Sequence, residues 1–169
     1  MWILPFVIVV FCVIAVDQGS KLLILSTLYG DRIDLIPNIL RFTYVENKGM
    51  AFGLLADHRW VFMVFSVLGI ALIAAYFYFF AKTVLSRTAL ALIIGGGIGN
   101  MIDRVRLGFV VDFIDFCAFP ELWSWVFNIA DAAVCVGAGL FILDLILDTV
   151  KELRKQKAQA TENDHGRDS

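Results

Sequence analysis

Four long apolar runs separated by polar connections of unequal length give the chain its pattern. Residues 2–28 are apolar except for Asp17-Gln-Gly-Ser-Lys21, and residues 60–81 carry no charge at all. Residues 88–104 turn polar only at their end, with Asn100, Asp103 and Arg104, and residues 125–147 lead into Lys151, Arg154, Lys155 and Lys157. A hydrocarbon core is spanned by about 20 helical residues, so each run reads as a membrane span. The first has no Lys or Arg before Lys21, as a signal peptide's positive start would require, and is expected to be retained rather than removed. A bulky Phe11 before Cys12 makes a poor lipidation site, so the chain is not expected to be a lipoprotein itself.

Between the first two runs, residues 30–58 form the one long polar connection. Leu40-Arg-Phe-Thr-Tyr-Val45 alternates as a half-buried strand does, and Pro37 precedes it, which predicts a short hairpin or small sheet on the membrane surface. Residues 105–126 are too charged to cross and too apolar for an ordinary loop. With Pro120, Trp123 and Trp125 they read as an interfacial amphipathic segment. The predicted fold is a membrane all-α protein, a four-transmembrane-helix bundle with a small extracytoplasmic β-cradle. Residues 1–150 make a single integral membrane domain, and residues 151–169 a polar cytoplasmic tail, disordered from about Lys157.

Four spans place both termini on one side. Basic residues divide evenly between the two sides, but those of the Lys82–Arg87 turn and the cluster after the fourth run are denser, which marks the terminus side as cytoplasmic. Composition agrees with the spans: 60% of the 169 residues are hydrophobic and 18% charged, against about half and a quarter in soluble domains. A net charge of −2 gives no reason to expect nucleic acid as a partner. His58 and His165 lie in a loop and the tail, so no histidine metal site is expected. Cys12, Cys117 and Cys135 read as small buried hydrophobes.

Charges inside apolar sequence are costly and therefore paired, water-lined or functional. Asp17 and Lys21 share a helix face, while Asn100, Asp103 and Arg104 make one polar face. Gly95 and Gly99 mark close helix packing, whereas Asp144 and Asp148 read as a solvated helix end. Asp112 and Asp131 fall on the same non-cytoplasmic side. A helix starting at Trp125 would put Asp131 about 9 Å deep. Two carboxyls facing one another share a proton, so that one takes a proton from water while the other donates to a carbonyl. No His-Glu-x-x-His or Gly-x-Ser-x-Gly occurs, and the adjacent Ser20 and Lys21 make a poor dyad. On residue chemistry alone an aspartic protease, a small proton-coupled transporter with an Asp/Asn/Arg relay, and an assembly subunit all stay open.

Five motifs narrow the choice: Asp17-x-x-Ser-Lys21, Asn47-x-Gly-x-Ala-Phe52, Gly95-Gly-x-x-Gly-Asn100-x-x-Asp-Arg104, Gly108-x-Val-Val-Asp-Phe-Ile114 and Phe127-Asn-x-Ala-Asp131. In order and spacing they resemble the motifs of bacterial lipoprotein signal peptidase, signal peptidase II. The resemblance implies an intramembrane aspartic endopeptidase of the bacterial cytoplasmic membrane, without cofactor. It would remove signal peptides from diacylglyceryl-modified prolipoproteins, on the amino side of the lipidated cysteine and near the extracytoplasmic face. It implies Asp112 and Asp131 as the catalytic dyad, with Asn47, Gly49, Asn100, Arg104 and Asn128 positioning substrate and Asp17, Lys21 and Asp103 bracing the site. Expected partners are the prolipoprotein and membrane lipids, and a monomer is the expected form.

Overall fold

The computed structural model describes residues 2–28, 31–48, 59–118 and 125–165. Gly49, Pro120, Trp123, His58 and the apolar end of the cradle at 50–57 lie outside them. Helix α1 (Leu4–Thr27) leads to strands β1 (Arg32–Ile36) and β2 (Leu40–Asn47), then to helices α2 (Arg59–Phe79) and α3 (Val84–Arg106). Strands β3 (Val110–Phe116) and β4 (Val126–Phe127) precede helix α4 (Ile129–His165). Among the described residues α1, α3 and α4 are long and apolar enough to cross a membrane, and the apolar stretch Met63–Phe79 of α2 is shorter. Large aliphatic and aromatic side chains such as Phe11, Phe65, Leu72 and Ile142 are exposed on the outer helix faces, as a lipid-facing surface requires.

The hairpin forms as its alternation predicts, with Asn38 in the left-handed region (φ 61°) of the turn after Pro37. Residues 110–116, expected to lie at the interface, are instead the inner strand of a four-stranded antiparallel sheet ordered β1-β2-β3-β4. The reason is double burial. A strand paired on both edges and covered on both faces reads as a continuous apolar run, without the alternation that marks a half-exposed strand. Val110, Val111, Asp112, Phe113 and Asp115 are all buried. The sheet rests on the C-terminal end of α1, where Ile24 and Leu28 pack against Val111 and Phe113, and Phe42 meets Phe113 edge-on at 5.8 Å.

Helix boundaries differ from expectation where capping chemistry decides them. α3 starts at Val84 rather than near residue 88, because the Thr83 Oγ1 accepts from Ser86 N at 2.9 Å. α4 starts at Ile129 rather than Trp125, since residues 126 and 127 are used by β4. At its other end α4 continues to His165, where the sequence reading placed a disordered tail. Lys, Gln, Ala and Glu dominate that stretch, and all favour helix. Asp144, read as a solvated terminus, is buried and accepts from the Thr83 hydroxyl at 2.7 Å, tying the start of α3 to α4. Cys12 and Cys135 sit on exposed helix faces and Cys117 is half-buried, so none of the three fills the core.

α3 is the central helix, held between α1 and α4 by glycines. A Cβ on Gly96 would collide with the Ala130 carbonyl oxygen, and one on Gly99 would lie 2.6 Å from the Asp17 Oδ2. The small residues thus let backbones approach closely enough for α1 to reach the first turn of α4.

Candidate active site

Local folding brings the polar residues of five segments to one place beneath the sheet. On α1, Asp17 and Lys21 lie one turn apart and pair at 2.9 Å, both almost fully buried. On α3, the i, i+3 spacing turns Asn100 and Asp103 inward, and Asp103 Oδ2 meets Lys21 Nζ at 2.9 Å. Lys21 gives its third proton to Asn100 Oδ1 at 3.0 Å, so all three ammonium donors have acceptors. Gln18, which the sequence reading passed over, closes this cluster. Its Nε2 lies within reach of Asp17 Oδ2 (3.1 Å), Asp103 Oδ1 (2.9 Å) and the Gly99 carbonyl (3.2 Å). The only sequence signal for it was its place between Asp17 and Lys21.

The start of α4 is built from the same parts. Helix N-termini leave backbone N–H groups unsatisfied, which is costly away from water. Asn128 is the N-cap: its Oδ1 accepts from Asp131 N at 2.9 Å, and Asp131 Oδ2 accepts in return from Asn128 N at 3.2 Å. This reciprocal pair is a capping box with an aspartate in the third position. Asp17 Oδ1 accepts from Ala130 N at 3.0 Å, so α1 caps α4 as well. Asp131 therefore lies in the first helical turn, not six residues along a helix that starts at Trp125.

Strand β3 supplies the other carboxyl. Asn47 is paired with Val110 across the β2–β3 ladder, so Asp112, two residues on, is its diagonal neighbour on the same face. Asn47 Nδ2 donates to Asp112 Oδ2 at 2.8 Å, and Asn128 Nδ2 donates to Asp112 Oδ1 at 2.6 Å. Asn100 Nδ2 donates to Asp131 Oδ1 at 2.7 Å, while Asn128 Nδ2 also lies 3.1 Å from Asn100 Oδ1. Each carboxyl is held by two donors, and Asn128 touches both. Asp103 Oδ2 further accepts from Val111 N at 3.1 Å, pinning the strand beside Asp112 to α3.

Of the residues singled out from sequence, Asp17, Lys21, Asn47, Asn100, Asp103, Asp112, Asn128 and Asp131 thus form one connected network, whereas Gly49 lies outside the described residues. Arg104 is half-buried and makes a long contact, 3.4 Å, with the Asn100 carbonyl. The carboxylates of Asp131, Asp112 and Asp103 lie within its electrostatic reach. Arg104 and Asn100 also form the polar end of an open cleft of about 220 Å³ between α2, α3 and α4, otherwise lined by Ser66, Gly69, Ile70, Gly97 and Val134 among others. Among the described residues, no three His, Cys, Asp or Glu side chains are arranged to hold a metal ion.

Burial pushes the Asp112 carboxyl up from its ordinary 3.8 to about 6. The Asn47 and Asn128 hydrogen bonds and the charge of Lys21 oppose that rise, and the negative charge of Asp131 adds to it. A carboxyl poised this way near neutrality, joined to a second one through Asn128, has the makings of a general acid–base pair.

The family model described as signal peptidase (SPase) II matches residues 9–147. Among curated relatives, the lipoprotein signal peptidase of Halothermothrix orenii is 42% identical over 139 residues, covering 82% of this chain and 92% of its own. That of Clostridioides difficile is 42% identical over 135 residues, covering 78% of this chain and 88% of its own. A solved bacterial membrane enzyme superposes with a TM-score of 0.80 at 32% identity, covering 88% of this chain and 92% of that one.

Proposed function

The chain belongs to the signal peptidase II family, and on that premise we propose that Asp112 and Asp131 are the dyad that hydrolyses the scissile peptide bond. The activity is that of a lipoprotein signal peptidase, an aspartic peptidase that removes signal peptides from prolipoproteins. The observation that carries the residue assignment is the pair of carboxyls joined through Asn128, with two donors fixed on each.

In this mechanism the resting pair holds one proton. The carboxylate takes a proton from a water as its oxygen attacks the carbonyl carbon, and the protonated partner donates to the carbonyl oxygen. Collapse of the tetrahedral intermediate breaks the C–N bond and delivers a proton to the departing nitrogen, here the amide nitrogen of the lipidated cysteine. Arg104 and Asn100, at the end of the cleft, offer donors to the substrate backbone, and Asn47 ties the sheet to the dyad. Arg41, whose charged form is favoured by the Asp115 carboxylate at 2.6 Å, locks β2 to β3 around that contact.

We assign α2 as the fourth span, completing a four-helix membrane domain over residues 1–150 with its sheet as a cradle above the cleft. Both termini then face the cytoplasm, the dyad lies near the extracytoplasmic face, and the protein acts as a monomer. A diacylglyceryl cysteine keeps its acyl chains in the bilayer and so brings the scissile bond to this depth. Acyl burial supplies about 0.8 kcal/mol per methylene without demanding much of the side chains. Purified protein in detergent is therefore expected to cut a diacylated prolipoprotein on the amino side of its cysteine and to leave the unlipidated precursor intact. Equal cleavage of both precursors would remove the lipid from the recognition argument.

The raised carboxyl gives a pH prediction. The profile of kcat should carry a limb near pH 6, belonging to the pair as a unit. The Asn47 hydrogen bond favours the charged form of Asp112. Its loss in Asn47→Leu raises that pKa, and the limb moves to higher pH. A limb that stays in place or moves down in this variant would detach it from Asp112.

A further inference from the structure

We infer that Lys21 is a positioning residue of the dyad, acting through the side-chain amide of Asn100. This deepens the reading of Asp112 and Asp131 as catalytic and rests on it. Lys21 makes no hydrogen bond to the reacting carboxyls, although its charge reaches Asp112. Its buried ammonium spends two donors on Asp17 and Asp103 and the third on Asn100 Oδ1 at 3.0 Å. The same oxygen receives Asn128 Nδ2 at 3.1 Å.

Both groups facing Asn100 Oδ1 are donors without an acceptor atom available, so only an oxygen satisfies them. A flipped amide would set its NH2 against an ammonium and another NH2, and its oxygen against the Asp131 carboxyl. Lys21 thereby forces the Asn100 NH2 toward Asp131 Oδ1, where it donates at 2.7 Å. Asn128 is fixed independently, because its own oxygen is committed to the cap of α4. The two amides that hold the dyad are thus oriented from outside it, one by a buried cation on α1 and the other by a helix end. Without the cation, the Asn100 oxygen loses the stronger of its two donors and keeps the Asn128 NH2 at 3.1 Å, so its hold on Asp131 Oδ1 loosens.

The test is a double-mutant cycle in the full-length purified protein, with kcat, KM for a diacylated prolipoprotein and thermal midpoint measured throughout. Lys21→Met is expected to lower kcat about 100-fold, the scale of a misplaced reacting group, with KM unchanged. Asn100→Ala should lower kcat to a similar extent, with a rise in KM as well because its amide also faces the cleft, and the kcat of the double variant should match that of the worse single one within about twofold. Losses that multiply in the double variant, or a loss in KM alone, would overturn the inference. If Lys21→Met does not fold, the charge-compensated Lys21→Met/Asp103→Asn pair is compared with and without Asn100→Ala. The inference predicts no further loss of kcat there, and a further loss overturns it. Asp112→Asn and Asp131→Asn are run alongside: if they still cleave, the dyad assignment itself has failed, whereas inactive dyad variants with a multiplicative cycle refute only the role of Lys21.

Discussion

Asp112→Asn and Asp131→Asn are each expected to stop cleavage of a diacylated prolipoprotein while leaving the protein folded. The carboxamide has nearly the shape of the carboxyl and keeps one acceptor oxygen, so at Asp131 it can still receive Asn100 Nδ2 and at Asp112 one of the two donors now bound. What it cannot do is take or give up a proton near neutrality. Removing either member leaves water without a base or the carbonyl without an acid, and the expected loss in kcat is about 10⁴-fold. Burial sharpens the contrast for Asp112, which is 2% exposed: a neutral amide there removes a carboxyl that burial disfavours as an anion. That gain offsets the donor left unpaired, so the variant should stay near the parent's thermal midpoint at neutral pH while losing activity. Initial cleavage rates measured beside melting curves decide the matter. Either variant retaining more than about 1% of the parent rate would show that its carboxyl carries no proton in the reaction.

Much of this site was legible in the sequence because its residues obey local spacing. Asp17 and Lys21 at i, i+4, and Asn100 and Asp103 at i, i+3, had to share helix faces whatever the tertiary fold, and α1 and α3 bring those faces together. Arg104 completes the predicted polar face but lines the cleft, together with residues of α2 and α4 that its own helix does not specify. What could not be read came from partners distant in the chain. Burial of β3 on both faces erased the alternation that identified β2, and the pairing of Arg41 with Asp115 spans 74 positions. Asp144 looked like a solvated end because its partner, Thr83, lies 61 positions away. The capping box at Asn128 and Asp131 was within local reach, yet the apolar run around it suggested a helix already under way. That misplaced the start of α4 and with it the position of Asp131 along the helix.

Asn128 should prove the residue whose replacement does most damage after the dyad itself, and its two functions can be separated. It is completely buried and joins Asp112, Asn100, the Val111 carbonyl and the first turn of α4. Asn128→Ala removes the cap, worth about 0.5–2 kcal/mol, and leaves buried acceptors without donors at a further cost of about 1–3 kcal/mol. Stability and activity should fall together in that variant. Asn128→Asp keeps an oxygen for Asp131 N and so retains the cap, but it offers no N–H to Asp112 and sets a third carboxyl against the pair. Like charges this close cannot all ionise, so extra protons enter the site and the one-proton state of the dyad is lost. Asn128→Asp is therefore expected to melt closer to the parent than Asn128→Ala does, yet to lose at least as much kcat, about 10³-fold, the scale of one removed stabilising donor. If activity instead tracked the melting point across the two variants, Asn128 would be a helix cap and nothing more. The bond from its amide to Asp112 would then have no part in the chemistry.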